Sequence, residues 1–422
     1  MRLLHPDRPG KTVRLGYCLN VHAAETLAGV CAGLRDVTAP VARSLAGDAV
    51  FGIGPWFASD VVHELLEEGA GLGQLEAQLI EQRLQPFTYN AFPFGGFHAS
   101  GLKQAVFHPT WLDQDRAGFT AAVAIIATRL ASVARALGEA PCAHVSISTH
   151  CGGFGTDIAD EAARIGVARS LASVATVLAT LEVTSGVRVV LSLEPEPRSS
   201  ANDCSALPAI FERASRFASA DILQRHLGSC LDTCHAAVEF EDPAQAFRAA
   251  TADGHPLGKM QFSSALSLMN PGEGPGLERL FAMDEPVFLH QVTGRLPGEG
   301  PDRLLGVSDI PELRQAWEAG DAAWRDCDEL RCHFHVPVDL DRVGLGLGTT
   351  RTTAEALLDL ALDQPERWGS DELHIEVETY TWDILPPEAR GEGGLVGGIG
   401  RELSHVLARL RSRGWLPDGD PS

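Results

Sequence analysis

Short apolar runs that end in polar residues alternate along the chain with longer stretches rich in Ala and Leu, the order expected of strand-helix units around a parallel sheet. Eight such runs are present, at residues 13–20, 50–56, 86–92, 143–150, 187–195, 228–235, 258–265 and 372–382. Helical stretches at 117–137, 160–184, 207–227 and 352–363 fall between or after them. Eight units predict a closed α/β barrel, (β/α)8, rather than an open sheet, and in that barrel the chemistry belongs at the C-terminal ends of the strands. We read residues 1–422 as one domain built on this barrel.

The alternation breaks between the seventh and eighth strands, where extended runs at 286–294 and 331–338 flank a Gly- and Pro-rich 296–301. A structureless loop of that length is improbable in a compact domain. We therefore expect a β-hairpin insertion, residues 270–340, packed over the barrel mouth. Six glycines in 391–400 predict a flexible connection before a last helix at 401–413, making 390–422 a C-terminal extension that is disordered from 417.

Polar residues at the strand ends supply the candidate chemistry. The fifth strand hands over from apolar residues to Glu194 and Glu196, two carboxylates of the same parity that leave the strand on one face. The sixth ends in Asp232 and His235, three residues apart; a lone Asp here would serve as a helix N-cap, but with His235 and Glu194 beside it a ligand role is expected. The eighth strand alternates so that His374, Glu376 and Glu378 line one face, with Glu378 nearest the mouth and Glu376 deeper. Three polar side chains facing the outer helices would be costly, so this face should look inward. Lys259, Gln261 and Ser263 alternate likewise on the seventh strand, and a buried Lys259 needs one of these carboxylates. In the insertion, His333 and His335 share parity and His290 ends another run. His22, Asn90 and His98 close the first and third strands, with Lys103 and His108 following on the same loop.

Composition narrows the function. A net charge of −22, from 56 acidic against 34 basic residues, repels a phosphate backbone and excludes nucleic acid as the expected partner. No apolar run approaches the roughly 20 residues of a membrane span, and the N-terminus lacks an apolar signal core, so we expect no membrane span and a cytoplasmic location. The nine cysteines, an odd number with no CxxC spacing, read as reduced thiols.

Leu193–Pro195, Asp232–His235 and the Glu of the last strand together resemble the xylose isomerase-like superfamily of sugar isomerases, epimerases and endonuclease IV. Five segments, residues 17–22, 90–98, 193–197, 333–337 and 376–382, more narrowly resemble, in order, the EboE family of metabolite traffic proteins. The resemblance implies a TIM barrel encoded among genes that move or process a secondary metabolite. It also implies Glu194, Asp232 and a Glu at 376 or 378 as metal ligands. At the seventh strand the chain departs from the superfamily's His and has Gln261, a poor zinc ligand. That favours manganese or magnesium, unless His333 and His335 replace the imidazole in a zinc site. The metal set expected is thus Glu194, Asp232, His235, Gln261, His333, His335, Glu376 and Glu378 around a divalent ion.

The leading expectation is a metal-dependent isomerase or epimerase acting on a small hydroxylated or carbonyl metabolite, with Glu194, Glu378 and His235 as catalytic groups. Substrate contacts are expected from His22, Asn90, His98, Lys103, Glu196, Lys259 and His290. The alternatives are a non-catalytic metabolite-binding protein and an endonuclease IV-like phosphodiesterase, whose Asp-x-x-His and His-x-His elements are echoed by Asp232/His235 and His333/His335. A homo-oligomer is compatible with all three.

Overall fold

In a computed structural model, which describes residues 1–67, 69, 71–96, 101–298 and 303–419, eight parallel strands close into a ring. They are β1 (Thr12–Cys18), β2 (Phe51–Gly54), β3 (Leu84–Pro86 continued by Thr88–Asn90), β4 (Val145–His150), β5 (Val189–Glu194), β6 (Leu227–Asp232), β7 (Leu257–Phe262) and β8 (Glu372–Val377). β8 pairs with both β7 and β1 and so closes the ring. The (β/α)8 architecture is therefore the one the sequence pattern predicts.

The outer helices bury apolar stripes on the strands. Gln114–Ala136 and Glu161–Ser185 are long and apolar enough, by length and composition, to cross a membrane, which corrects the expectation that no run approaches that size. Here they pack in the outer layer, with Val123, Ala127, Leu171 and Leu178 among their buried residues. The apparent discrepancy comes from small residues: Ala-rich faces suit close packing and raise hydropathy at once.

The barrel interior is more polar than the usual layers of branched apolar residues. At its lower end Arg14 on β1 meets Glu372 on β8 at 2.9 Å and the Gln85 side-chain oxygen at 3.0 Å, while His374 contacts Glu372 at 3.0 Å and Ser146 at 2.8 Å. One layer higher, Lys259 forms a buried ion pair with Glu376. Gly54 makes that layer possible, because a Cβ there would lie 1.6 Å from the Glu376 carboxylate.

The insertion is larger than a hairpin. Immediately after β7 the chain enters Ser264–Met269, the first strand of a six-stranded antiparallel sheet completed by Val292–Arg295, Leu304–Val307, Glu329–Val336, Arg342–Gly344 and Leu347–Thr349. The sequence reading merged β7 with Ser264 and Ala265, since no Gly or Pro marks the break. Ser264–Met269 instead pairs with Glu329–Val336.

The glycine-rich tail also differs from expectation. Gly394–Ser412 is one helix, burying Ile399, Leu403, Val406 and Leu410 and packing on the helix Ala39–Ala46. Gly398 is needed for contact rather than flexibility: a Cβ there would fall 2.4 Å from the Trp382 ring. Leu416–Pro417 then pairs with Arg2–Leu4 where disorder was expected from 417.

Candidate metal centre

Three imidazoles and four carboxylates meet at the C-terminal ends of the strands. Glu194 ends β5 and Asp232 ends β6. Glu378 lies one residue beyond β8. Asp232 caps the short helix Thr233–Val238, accepting the His235 backbone N–H at 2.9 Å through Oδ1. The cap uses one oxygen, and Oδ2 has no hydrogen-bond partner. Capping and ligation are therefore compatible in the same side chain. His333 and His335 descend from the insertion strand Glu329–Val336 at matching parity.

The Nε2 atoms of the three imidazoles face one another, at 3.1 Å between His235 and His333, 3.3 Å between His235 and His335, and 2.9 Å between His333 and His335. Each Nδ1 meets an acceptor: the Pro195 carbonyl at 3.0 Å, the Gln291 side-chain oxygen at 2.6 Å and the Glu378 carbonyl at 3.0 Å, respectively. The Gln291 amide orientation is fixed because its NH2 donates to Glu196 at 3.1 Å and to the Pro197 carbonyl at 3.0 Å. Acceptors at Nδ1 demand the proton there, so three Nε2 lone pairs converge with no proton between them. Burial lowers His235 to about 3, lowers His335 to about 4 against the opposing pull of Asp232, and holds His333 well below its ordinary value. All three are thus neutral and ligand-competent at pH 7. Nitrogens about 2.0–2.1 Å from zinc lie about 3.4 Å apart at tetrahedral angles and about 2.9 Å apart at right angles. The observed separations fall at and between these values, so the imidazoles fit such an ion.

Beside this triad, one oxygen each from Glu194, Asp232 and Glu378 lie within 4.8 Å of one another, all buried. Asp232 also lies within that distance of His235 and His335, so it borders both donor sets. Burial and mutual repulsion raise Glu194 well above the usual carboxylate range and Glu378 to about 8, and burial raises Asp232 against the opposing pull of His335. Glu196 is likewise raised to about 8, chiefly by burial. A divalent cation would remove the repulsion and satisfy the free Oδ2 of Asp232.

Several expected site residues lie elsewhere. Glu376 sits below this group, facing Lys259, so Glu378 is the member of that pair at the mouth. Lys259 is fully buried, contacts Ser148 at 3.2 Å and does not line the chamber above, which corrects its assignment to substrate. Gln261 turns its NH2 toward Glu378 while its oxygen accepts from the Cys230 thiol at 2.7 Å; this amide positions a carboxylate and offers no oxygen to an ion. His22 is held by the Tyr17 hydroxyl at 3.0 Å, away from the mouth. His290 stacks on Phe334 and bonds the His333 carbonyl at 2.9 Å and Glu285 at 3.0 Å, supporting the insertion strand. His98 lies outside the described residues. Asn90, Lys103 and Glu196 do line the chamber.

Other contributors were not singled out from sequence. Asn20 donates to Glu378 at 2.7 Å, alongside Asn90 at 3.1 Å. Tyr380 packs on the His335 ring and brings its hydroxyl to 3.4 Å from His333 Nε2. Parity could have found Tyr380, two residues beyond Glu378. Gln291, just before the insertion strand Val292–Arg295, carried no such signal.

No family model matches the chain, and no curated protein matches it. Solved structures with similar folds include the 3-keto-D-glucoside 4-epimerase YcjR from E. coli, at 15% identity over 56% of this chain and 75% of that one, with a TM-score of 0.32. An AP endonuclease, family 2, from Brucella melitensis is 16% identical over 53% and 69%, with a TM-score of 0.29. A D-tagatose 3-epimerase-like protein is 9% identical over 95% and 98%, with a TM-score of 0.44.

Proposed function

We propose that the chain is a metal-dependent isomerase or epimerase acting on a small hydroxylated or carbonyl metabolite. The observation carrying this reading is the set of three proton-free Nε2 atoms beside the buried carboxylates of Glu194, Asp232 and Glu378. His235, His333 and His335 form the imidazole set, suited to zinc, and Glu194, Asp232 and Glu378 the oxygen set, suited to manganese or magnesium. A divalent ion bound here supplies Lewis-acid polarisation of a carbonyl and its neighbouring hydroxyl.

The carboxylates divide the remaining work. Glu378 accepts from Asn20, Asn90 and Gln261, which hold both its oxygens and make it an anchor. Glu194 lines the chamber with Oε2 free of any hydrogen bond, and that oxygen is the base placed to take a proton from the carbon beside a carbonyl and return it. His235, committed at both nitrogens, serves as a ligand in place of the acid-base role expected from sequence. The EboE-type reading is compatible with this arrangement, since Asn20, Asn90, Glu194, His333 and Tyr380, one from each of the five segments, all line the chamber.

The test is metal analysis followed by incubation of loaded protein with hydroxy-ketones and hydroxy-aldehydes in D2O. Deuterium appearing beside the carbonyl, and lost in Glu194→Gln, supports the enzyme. Ligand binding without exchange would favour the metabolite-binding alternative. A phosphodiesterase is the weaker reading: among the described residues lining the chamber the one cationic side chain is Lys103, already paired with Asp309 at 2.7 Å.

A further inference from the structure

We infer that the substrate of this site is amphiphilic, a metal-binding oxygen head on an apolar body about the size of a ring, and not a free sugar. The inference rests on the metal reading above and adds what the apolar part of the chamber lining accepts.

The chamber is lined by two chemically different sets of residues. Beside the imidazoles and carboxylates the lining holds an apolar wall of Phe92, Pro93, Leu102, Val106, Phe288 and Leu289. Phe92 and Leu289 belong to a small apolar cluster with Phe107 and Phe154, separate from the main core. That cluster joins the loop after β3 to the insertion, two segments that otherwise meet through backbone bonds such as Lys103 N–H to the Val287 carbonyl at 2.9 Å. It therefore gives the chamber a wall of its own, independent of what holds the barrel.

Several polar groups among the described lining residues are already engaged, and the free acceptors, Glu194 Oε2 and Asn20 Oδ1, belong to the carboxylate group and to a residue bound to it. Asn20 and Asn90 both donate to Glu378, and Lys103 is paired with Asp309. A polyol entering this space would lose hydrogen bonds to water along its whole length and regain them only at the head. An apolar body would instead gain from leaving water. A site built to read a row of hydroxyls carries free donors and acceptors to match them, and this wall offers none among the described residues.

The experiment measures, by calorimetry on the full zinc-loaded chain and on the chelated chain, the binding of acetohydroxamate, benzohydroxamate and a free ketohexose. The two hydroxamates share a metal-binding head and differ in body. Benzohydroxamate is expected to bind loaded protein at least about tenfold tighter than acetohydroxamate, the gain of burying one ring. Leu289→Ser and Val106→Ser should each shrink that ratio at least about threefold, with acetohydroxamate on the same variants reporting whether the head end survives. Equal affinity of the two hydroxamates, or a ketohexose that binds tighter than benzohydroxamate, overturns the inference. Benzohydroxamate that binds chelated and loaded protein equally would overturn the metal reading while leaving the apolar chamber standing.

Discussion

The lower and upper ends of the barrel interior both bury carboxylates, and they treat them in opposite ways. Below, Glu372 meets Arg14 and His374; burial alone would raise it, but the His374 hydrogen bond and the Arg14 charge outweigh that and hold it near 2. Glu376 meets Lys259, whose charge and hydrogen bond oppose the rise that burial causes. Above, Glu194, Glu196, Asp232 and Glu378 share a mouth with three neutral imidazoles and are all raised. The fold can evidently neutralise a buried acid with its own side chains. At the mouth it arranges donors and leaves the positive charge to come from outside.

The strongest way to break this comparison is to remove one lower acid. Glu372→Ala strands the Arg14 guanidinium in the interior and should cost about 3–5 kcal/mol in chemical denaturation, while metal content stays unchanged. A lower variant that loses metal, or loses no stability, would erase the distinction between the two ends. Next in size is the effect of the ion itself. Chelated protein titrated with zinc or manganese to 100–1,000 times Kd should gain about 3–4 kcal/mol. A melting temperature indifferent to zinc, manganese and magnesium would leave a metal-free binder as the better account.

Asp232→Asn sharpens the comparison. It should abolish most metal binding and shift the stability of the chelated protein by only about 1 kcal/mol, because loss of repulsion offsets the altered cap. The smallest effect concerns pH. Glu378 and Glu196, raised from the ordinary 4.5 to about 8, stabilise the chelated fold fully below about pH 4.5 and lose that contribution as pH rises through about 8. The imidazoles run the other way: His235 and His335, lowered to about 3 and 4, contribute above about pH 6.5 and lose it as pH falls through those values. Added zinc should therefore raise the melting temperature more at pH 8 than at pH 5, where protons compete for the carboxylates.

Parity made much of the mouth legible in the sequence. Glu194, Asp232, Glu378, His333 and His335 sit where apolar strands turn polar, and period two sends each to one face. Which carboxylate Lys259 takes was not legible: the alternation orders Glu378 nearer the mouth than Glu376, and only the layering of the closed barrel pairs Lys259 with Glu376. Orientation was not legible either, since Gln261 reaches the site but presents its NH2. The insertion's six strands were hidden because Ser263 and Ser264 join two sheets without the Gly or Pro that usually marks a turn. The tail misled for the converse reason, its glycines accommodating Trp382 within a helix.

The most direct test is anomalous scattering from crystals of the protein as purified, recorded above and below the zinc and manganese edges. The account predicts a peak within bonding distance of the Nε2 atoms of His235, His333 and His335. A crystal soaked in zinc and manganese that shows no peak among those nitrogens or among Glu194, Asp232 and Glu378 would contradict it.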